Sequence, residues 1–198
     1  VRQSFPQNFH KVDRQGRPVQ YFAVGAADPE KLAACTTLER LIRWNVHRAE
    51  HTIQVKYPRC SAAAGSVVSS SVCIVDLDGA CLSHFTGDVR AYLKLYFELL
   101  GNNFPGNLSK VFLLNCPMFF SGVWSVLRLF LPATDRDRIQ LFGGPSTYEA
   151  VLAADIDPAN LPTRYGGYDT TFSPFRDVGP WDSIATGEAE QTVDREME

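Results

Sequence analysis

The most specific catalytic spacing in the chain is His47-Arg48-Ala49-Glu50-His51. Two histidines at i and i+4 share one helix face, and Glu50 between them could act as a base. This H-x-x-E-H pattern is that of inverted zinc peptidases. Zinc hydrolysis would need a third ligand, and no motif ties Glu98 or Glu149 to the pair. The ordinary reading, two histidines on a helix surface, is the better one. Cys/His nucleophilic chemistry has less behind it, because neither His10 nor His84 stands in a motif with a thiol. Gly143-Gly144-Pro145-Ser146 precedes a helix and could hold a phosphate on its free N–H groups. It lacks the lysine of a nucleotide-binding loop, so it reads as a turn and a cap. Asp135-Arg136-Asp137-Arg138 is either a solvated charge cluster or a grip for an anion, since an arginine fork matches a phosphate. Ser71 and Cys73 lie in an apolar run. There a hydroxyl is usually satisfied by backbone and a thiol acts as a small hydrophobe.

The totals narrow the classes further. With 198 residues and 45% hydrophobic content the chain can bury one good core. A net charge of −3 gives no general attraction to nucleic acid or to an anionic surface. The five cysteines form no CxxC pair, which suits a reducing, cytoplasmic compartment. No signal peptide opens the chain, and no run of 18 apolar residues occurs. The opening VRQSFPQNFH leads straight into structured-looking sequence, as if more chain preceded it.

Strands and helices alternate. PVQYFAV (18–24) reads as a strand after the DRQGRP turn. Asp28-Pro29 starts a short helix, and Thr36 or Thr37 caps a longer one, which Pro58 kinks or splits and Gly65 ends. SVVSSSVCIVDL (66–77) is a central strand, with Ser71, Cys73 and Val75 on one face and Val72 and Ile74 on the other. A helix from about Thr86 to Asn102 follows. The next strand, Val111 to Cys116, leads into a helix from about Phe119 to Leu131, stopped by Pro132. That helix is apolar nearly all round, so its outer side needs an apolar partner as well as its inner side. At roughly 20 Å it is too short to span a bilayer. We read it as a lid over a lipid-sized cavity. A strand at 138–142 and a helix capped by Ser146 complete the pattern. The expectation is an α/β domain with a mostly parallel sheet over 1–170, then an irregular arm and acidic tail over 171–198. Phe172, Phe175 and Trp181 would anchor the arm. Gly166-Gly167 suggests backbone with no room for a side chain.

FHKVDRQGRPV (9–19), YPRCSAAAG (57–65), VSSSVCIVDLDG (68–79), KVFLLNCPMFF (110–120), DRIQLFG (137–143), NLPTRYGG (160–167) and DVGPW (177–181) carry a resemblance. Together they resemble the CRAL-TRIO lipid-binding family, most of all its fungal-type phosphatidylinositol/phosphatidylcholine transfer proteins. The resemblance implies an apolar cavity closed by a gating helix, with no catalysis and no cofactor beyond a bound lipid. It implies a monomeric cytoplasmic carrier, transiently at membrane surfaces, that holds phosphatidylinositol or another lipid and binds no nucleic acid. The family's N-terminal helical lobe is missing from this chain.

Carried over by position, the gate has Phe119, Phe120, Val123 and Phe130, with its hinge at Pro132. The cavity lining has Val75, Val111, Leu113, Trp124, Leu127 and Ala49. In the inositol-lipid site Arg138 stands for a lysine, Asp135 for a threonine and Gly106 for a glutamate. In the choline-lipid site Ser71 is kept, Cys73 replaces a threonine, and Phe9 and Ala49 replace tyrosines. That substitution pattern favours an inositol lipid over a choline lipid. It leaves open a sterol or other non-phospholipid cargo, and a membrane-targeting module of a larger protein.

Overall fold

The computed structural model describes residues 4–131 and 133–182. Five strands form one sheet in the order β1-β2-β3-β4-β5. They are β1 (Gln7–Val12), β2 (Pro18–Ala23), β3 (Ser71–Asp76), β4 (Leu108–Leu114) and β5 (Ile139–Leu141). β1 runs antiparallel to β2, and the other pairings are parallel. Parallel neighbours need crossovers, which helices supply. Helices α1 (Pro29–Cys35), α2 (Leu38–His51) and α3 (Tyr57–Ala64) join β2 to β3. Helix α4 (Gly87–Asn103) joins β3 to β4, and α5 (Phe120–Leu127) and α6 (Ala133–Arg136) join β4 to β5. Helix α7 (Pro145–Asp155) follows β5.

Local chemistry sets the boundaries. The Asp28 carboxylate accepts the Lys31 N–H at 3.0 Å, and Pro29 opens α1. The hydroxyls of Thr37 and Thr86 cap α2 and α4, each accepting an N–H at 3.3 Å. The long helix divides just ahead of Pro58. A π-helical turn, Thr52–Lys56, runs into α3, where Pro58 sits in the first turn and its missing N–H is no loss. Helix α7 is capped at Gly144 through the Thr147 hydroxyl, and not by Ser146. The expected 119–131 helix is α5 followed by a tighter turn at Arg128–Phe130. Pro132 lies outside the described residues.

The sheet's two faces have different fates. Val19, Tyr21, Val72, Ile74, Phe112 and Leu114 are almost wholly buried against Tyr148 and Leu152 of α7 and against Leu161 and Tyr165. This is the solid core of the domain. Alternation sends Gln20, Phe22, Cys73, Val75, Val111 and Leu113 to the other face, which borders open space.

Strand β1 has no counterpart in the sequence reading. Its free edge is covered by the arm: the Lys11 N–H donates to the Val178 carbonyl at 2.6 Å, and the Val178 N–H donates to that of Phe9 at 2.9 Å. The Asn8 amide donates to the carbonyls of Ser173 and Arg176. Trp181 is buried among Phe9, Tyr57 and Cys60. Phe172 packs on the main core, whereas Phe175 stays half exposed and anchors little. The acidic tail, 183–198, lies outside the described residues.

Candidate functional site

Between the open sheet face and helices α1, α2, α4 and α5 lies a cavity of about 970 Å³. That is the upper end of the roughly 300–1,000 Å³ typical of ligand pockets. Cys73, Val75, Val111 and Leu113 line its floor, as the strand alternation expects. Phe120, Trp124 and Leu127 of α5 form one wall, and Leu41 of α2 with Tyr92 of α4 forms another. Phe85 wedges α5 in place, with its ring 6.3 Å from that of Phe119 and 6.1 Å from that of Phe120. Val123 packs in the same cluster. Phe119, Val123 and Phe130 are half-buried and outside the lining, so they face away from the cavity or along its rim. On α5 the exposed positions are Ser121, Gly122, Ser125 and Val126, and bare apolar side chains flank it: Met118, 97% exposed, before it and Leu129, 65% exposed, after it.

Charge gathers at the end of the cavity where the parallel strands begin. Arg138, just ahead of β5, lines the cavity together with Asp135 and Gly106. Its Nη1 donates to the Leu108 carbonyl at 2.8 Å and stands 3.4 Å from the Asp135 carboxylate. The guanidinium is therefore tethered, and about a third of the Arg138 side chain stays exposed. Gly106 has φ +77 and open space where a Cβ would be, so the substituted position is roomy.

Three positions carried over from the choline-lipid site stand outside the cavity. The Ser71 hydroxyl is buried and engaged by the Tyr57 phenol at 3.0 Å. That phenol also donates to Asn107, and burial pushes it up to about 12. Phe9 turns to Trp181, and Ala49 is buried on α2 away from the lining. Cys73 alone reaches the cavity, and burial pushes its thiol up to about 12, an inert neutral group. Sequence reasoning missed Gln20, which lines the cavity from β2, and Tyr92 and Tyr96, which line it from α4. The signal was there: Gln20 is the single amide in an otherwise apolar strand.

The His47/His51 pair does not form a metal centre. The rings are 6.4 Å apart, and the Lys56 ammonium stands 3.3 Å from His51 Nδ1. A cation there opposes a second cation. Among the described residues no three His, Cys, Asp or Glu side chains converge.

The cavity beneath a short apolar helix on a mostly parallel sheet agrees with the comparisons. The CRAL/TRIO domain model matches residues 2–167. The chain belongs to the CRAL/TRIO domain family. A phosphatidylinositol/phosphatidylcholine transfer protein, SFH11 of Arabidopsis thaliana, is 33% identical over 185 residues, 91% of this chain and 49% of the relative. A SEC14 cytosolic factor of Yarrowia lipolytica is 33% identical over 183 residues, 91% of this chain and 37% of the relative. The chain thus spans half or less of the length of these two relatives. The crystal structure of Sfh5 superposes with a TM-score of 0.60 at 14% identity, covering 74% of this chain and 50% of the other. It shows the shared fold. Among the described residues no helix is long and apolar enough to cross a membrane.

Proposed function

We propose that this CRAL/TRIO domain holds one lipid in its cavity and exchanges it at membranes, with phosphatidylinositol as the first cargo. The observation that carries this is the cavity of about 970 Å³, floored by Val75, Val111 and Leu113, walled by α5 and bordered by Arg138. Each methylene buried there stabilises the complex by about 0.8 kcal/mol, so acyl chains bind strongly and leave only into another apolar phase. Helix α5 is the gate. Its inner side meets the cargo, and the bare Met118 and Leu129 that flank it meet the bilayer when it opens. Arg138 grips the headgroup phosphate at the rim. Lipid transfer is the activity that the Arabidopsis relative's name states. The domain works as a monomeric carrier in the cytoplasm and does no chemistry on its cargo.

The test is transfer of labelled phosphatidylinositol from donor to acceptor vesicles. Transfer above the protein-free rate supports the reading. Absence of transfer, with no lipid retained by the protein after gel filtration, contradicts it.

A further inference from the structure

Of the five thiols, Cys81 is the one that is both exposed and paired with a base. It opens a short turn, Leu82–His84, between β3 and α4. Its Sγ stands 2.9 Å from Nδ1 of His84 and 2.9 Å from the Ser83 hydroxyl oxygen. The Cys81 backbone N–H donates to the same Nδ1 at 3.1 Å. A ring nitrogen that accepts from a backbone N–H carries its lone pair there. The turn therefore fixes His84 with its basic nitrogen at the sulfur, the arrangement of a nucleophile and an oriented base. No sequence motif joins the two residues; the turn does.

The other cysteines differ in ways that make them internal controls. Cys35 is exposed, but its thiol donates to the Leu32 carbonyl at 3.4 Å and has no base beside it among the described residues. Cys60 and Cys73 are buried, and burial pushes their thiols up to about 11 and about 12. Cys116 is half-buried, its thiol is also raised by burial, and it donates to the Leu113 carbonyl. Reactivity follows the thiolate and its access, so these four are the slower thiols.

The same turn reaches the cavity. Ser83, His84 and Phe85 line it. Phe85, the next residue after His84, is the ring that packs against Phe119 and Phe120 at the start of α5. An adduct on Cys81 displaces His84 from the sulfur and adds polar bulk to the turn that holds this ring.

We propose that Cys81 is a redox modification site: with His84 as base it joins a small-molecule disulfide, such as oxidised glutathione, in a mixed disulfide, and the adduct loosens the Phe85 wedge behind α5. The thiol passes its proton to His84 Nδ1, and the thiolate attacks one sulfur of the disulfide. The new S–S bond forms as the old one breaks. The leaving half departs as a thiolate and takes the proton back from His84. Cys81 is oxidised and the leaving half is reduced. The link to α5 rests on the carrier reading, whereas the reactivity of the thiol does not.

The experiment incubates the reduced, folded protein with oxidised glutathione and follows each cysteine by peptide mass spectrometry. Cys81 gains the adduct at least about tenfold faster than Cys35, and His84→Gln brings it down to the Cys35 rate. Equal rates at Cys81 and Cys35 in the parent overturn the site, and that comparison needs no variant to fold. An unchanged Cys81 rate in a His84→Gln protein that melts like the parent overturns the role of His84. A second arm measures transfer of labelled phosphatidylinositol between vesicles without the adduct, with it, and after dithiothreitol removes it. Transfer changes at least about twofold with the adduct and returns without it, and Cys81→Ser is indifferent to oxidised glutathione. Transfer that ignores the adduct overturns the link to α5. A parent with no transfer contradicts the carrier reading and takes that link with it, and the mass spectra still decide the thiol.

Discussion

The carbonyl oxygen of Leu161 lies 1.9 Å from where a Cβ on Gly167 would stand. Backbone, not a movable side chain, fills that space. The same turn is tied to the sheet from the other side: Asp76, at the end of β3, accepts from Arg164 at 2.8 Å and Tyr165 at 3.0 Å. Gly167→Asp must push the Leu161 backbone away and bring a carboxylate against the core. We expect a loss of about 3 kcal/mol, and with it a fall of roughly 6–12 °C in melting temperature. A thermal melt of the variant beside the parent measures this. A melting temperature within experimental error of the parent would contradict the packing argument.

Acid should weaken the fold before ordinary carboxylates titrate. Burial first, and the Lys56 charge second, hold the His51 ring at about 4 against its usual 6.5. Below pH 6.5 the unfolded chain takes up a proton that the folded chain refuses. Stability therefore falls as pH drops from about 6.5 to about 4. His51→Gln removes that contribution and flattens the curve. Urea midpoints at pH 7 and pH 5 read it directly. The same drop in both proteins would show that His51 is not responsible.

Filling the cavity should separate binding from stability. Val75 lines the floor from β3, with open space above it. Val75→Trp puts a large apolar ring into that space, so lipid uptake falls at least tenfold while stability stays within roughly 1 kcal/mol of the parent. Unfolding midpoint and vesicle uptake are measured on one preparation. Full uptake by a stable variant would mean that the cargo lies elsewhere.

Arg138 is the rim cation. Arg138→Ala removes a charged donor to the headgroup along with its bond to the Leu108 carbonyl. We expect inositol-lipid uptake to fall about tenfold and neutral-lipid uptake to hold, on the scale of one charged hydrogen bond. Competition between the two lipids in vesicles distinguishes them. Equal losses would assign Arg138 to structure.

The parts of the molecule that were legible in sequence share a cause. β2, β3 and β4 are apolar runs, and alternation along β3 assigns Cys73 and Val75 to one face and Val72 and Ile74 to the other; Val111 and Leu113 came only with the resemblance. β1 could not be read this way. Its Gln7, Asn8 and His10 are buried polar residues, and the groups that satisfy Asn8 and His10, on Ser173, Arg176 and Asp169, arrive from the far end of the chain. Periodicity sees burial only through apolar residues, so a strand satisfied by distant polar partners looks like a loop. The choline-lipid positions failed for a related reason. Ser71 is matched by position, but Tyr57 on α3 already holds its hydroxyl. Helix α5 was legible as over-apolar, and its inner side buries Phe120 and Leu127, whereas its exposed side carries Ser121, Gly122 and Ser125 beside Val126.

The central claim is that the cavity beneath α5 carries a lipid. The direct measurement is mass spectrometry of the organic extract of the protein, purified from the cells that make it. We predict one lipid molecule per chain in the parent, and a sharply reduced amount in Val75→Trp. A parent protein that is folded by its thermal melt and yields no lipid above the level of a control protein would contradict the account.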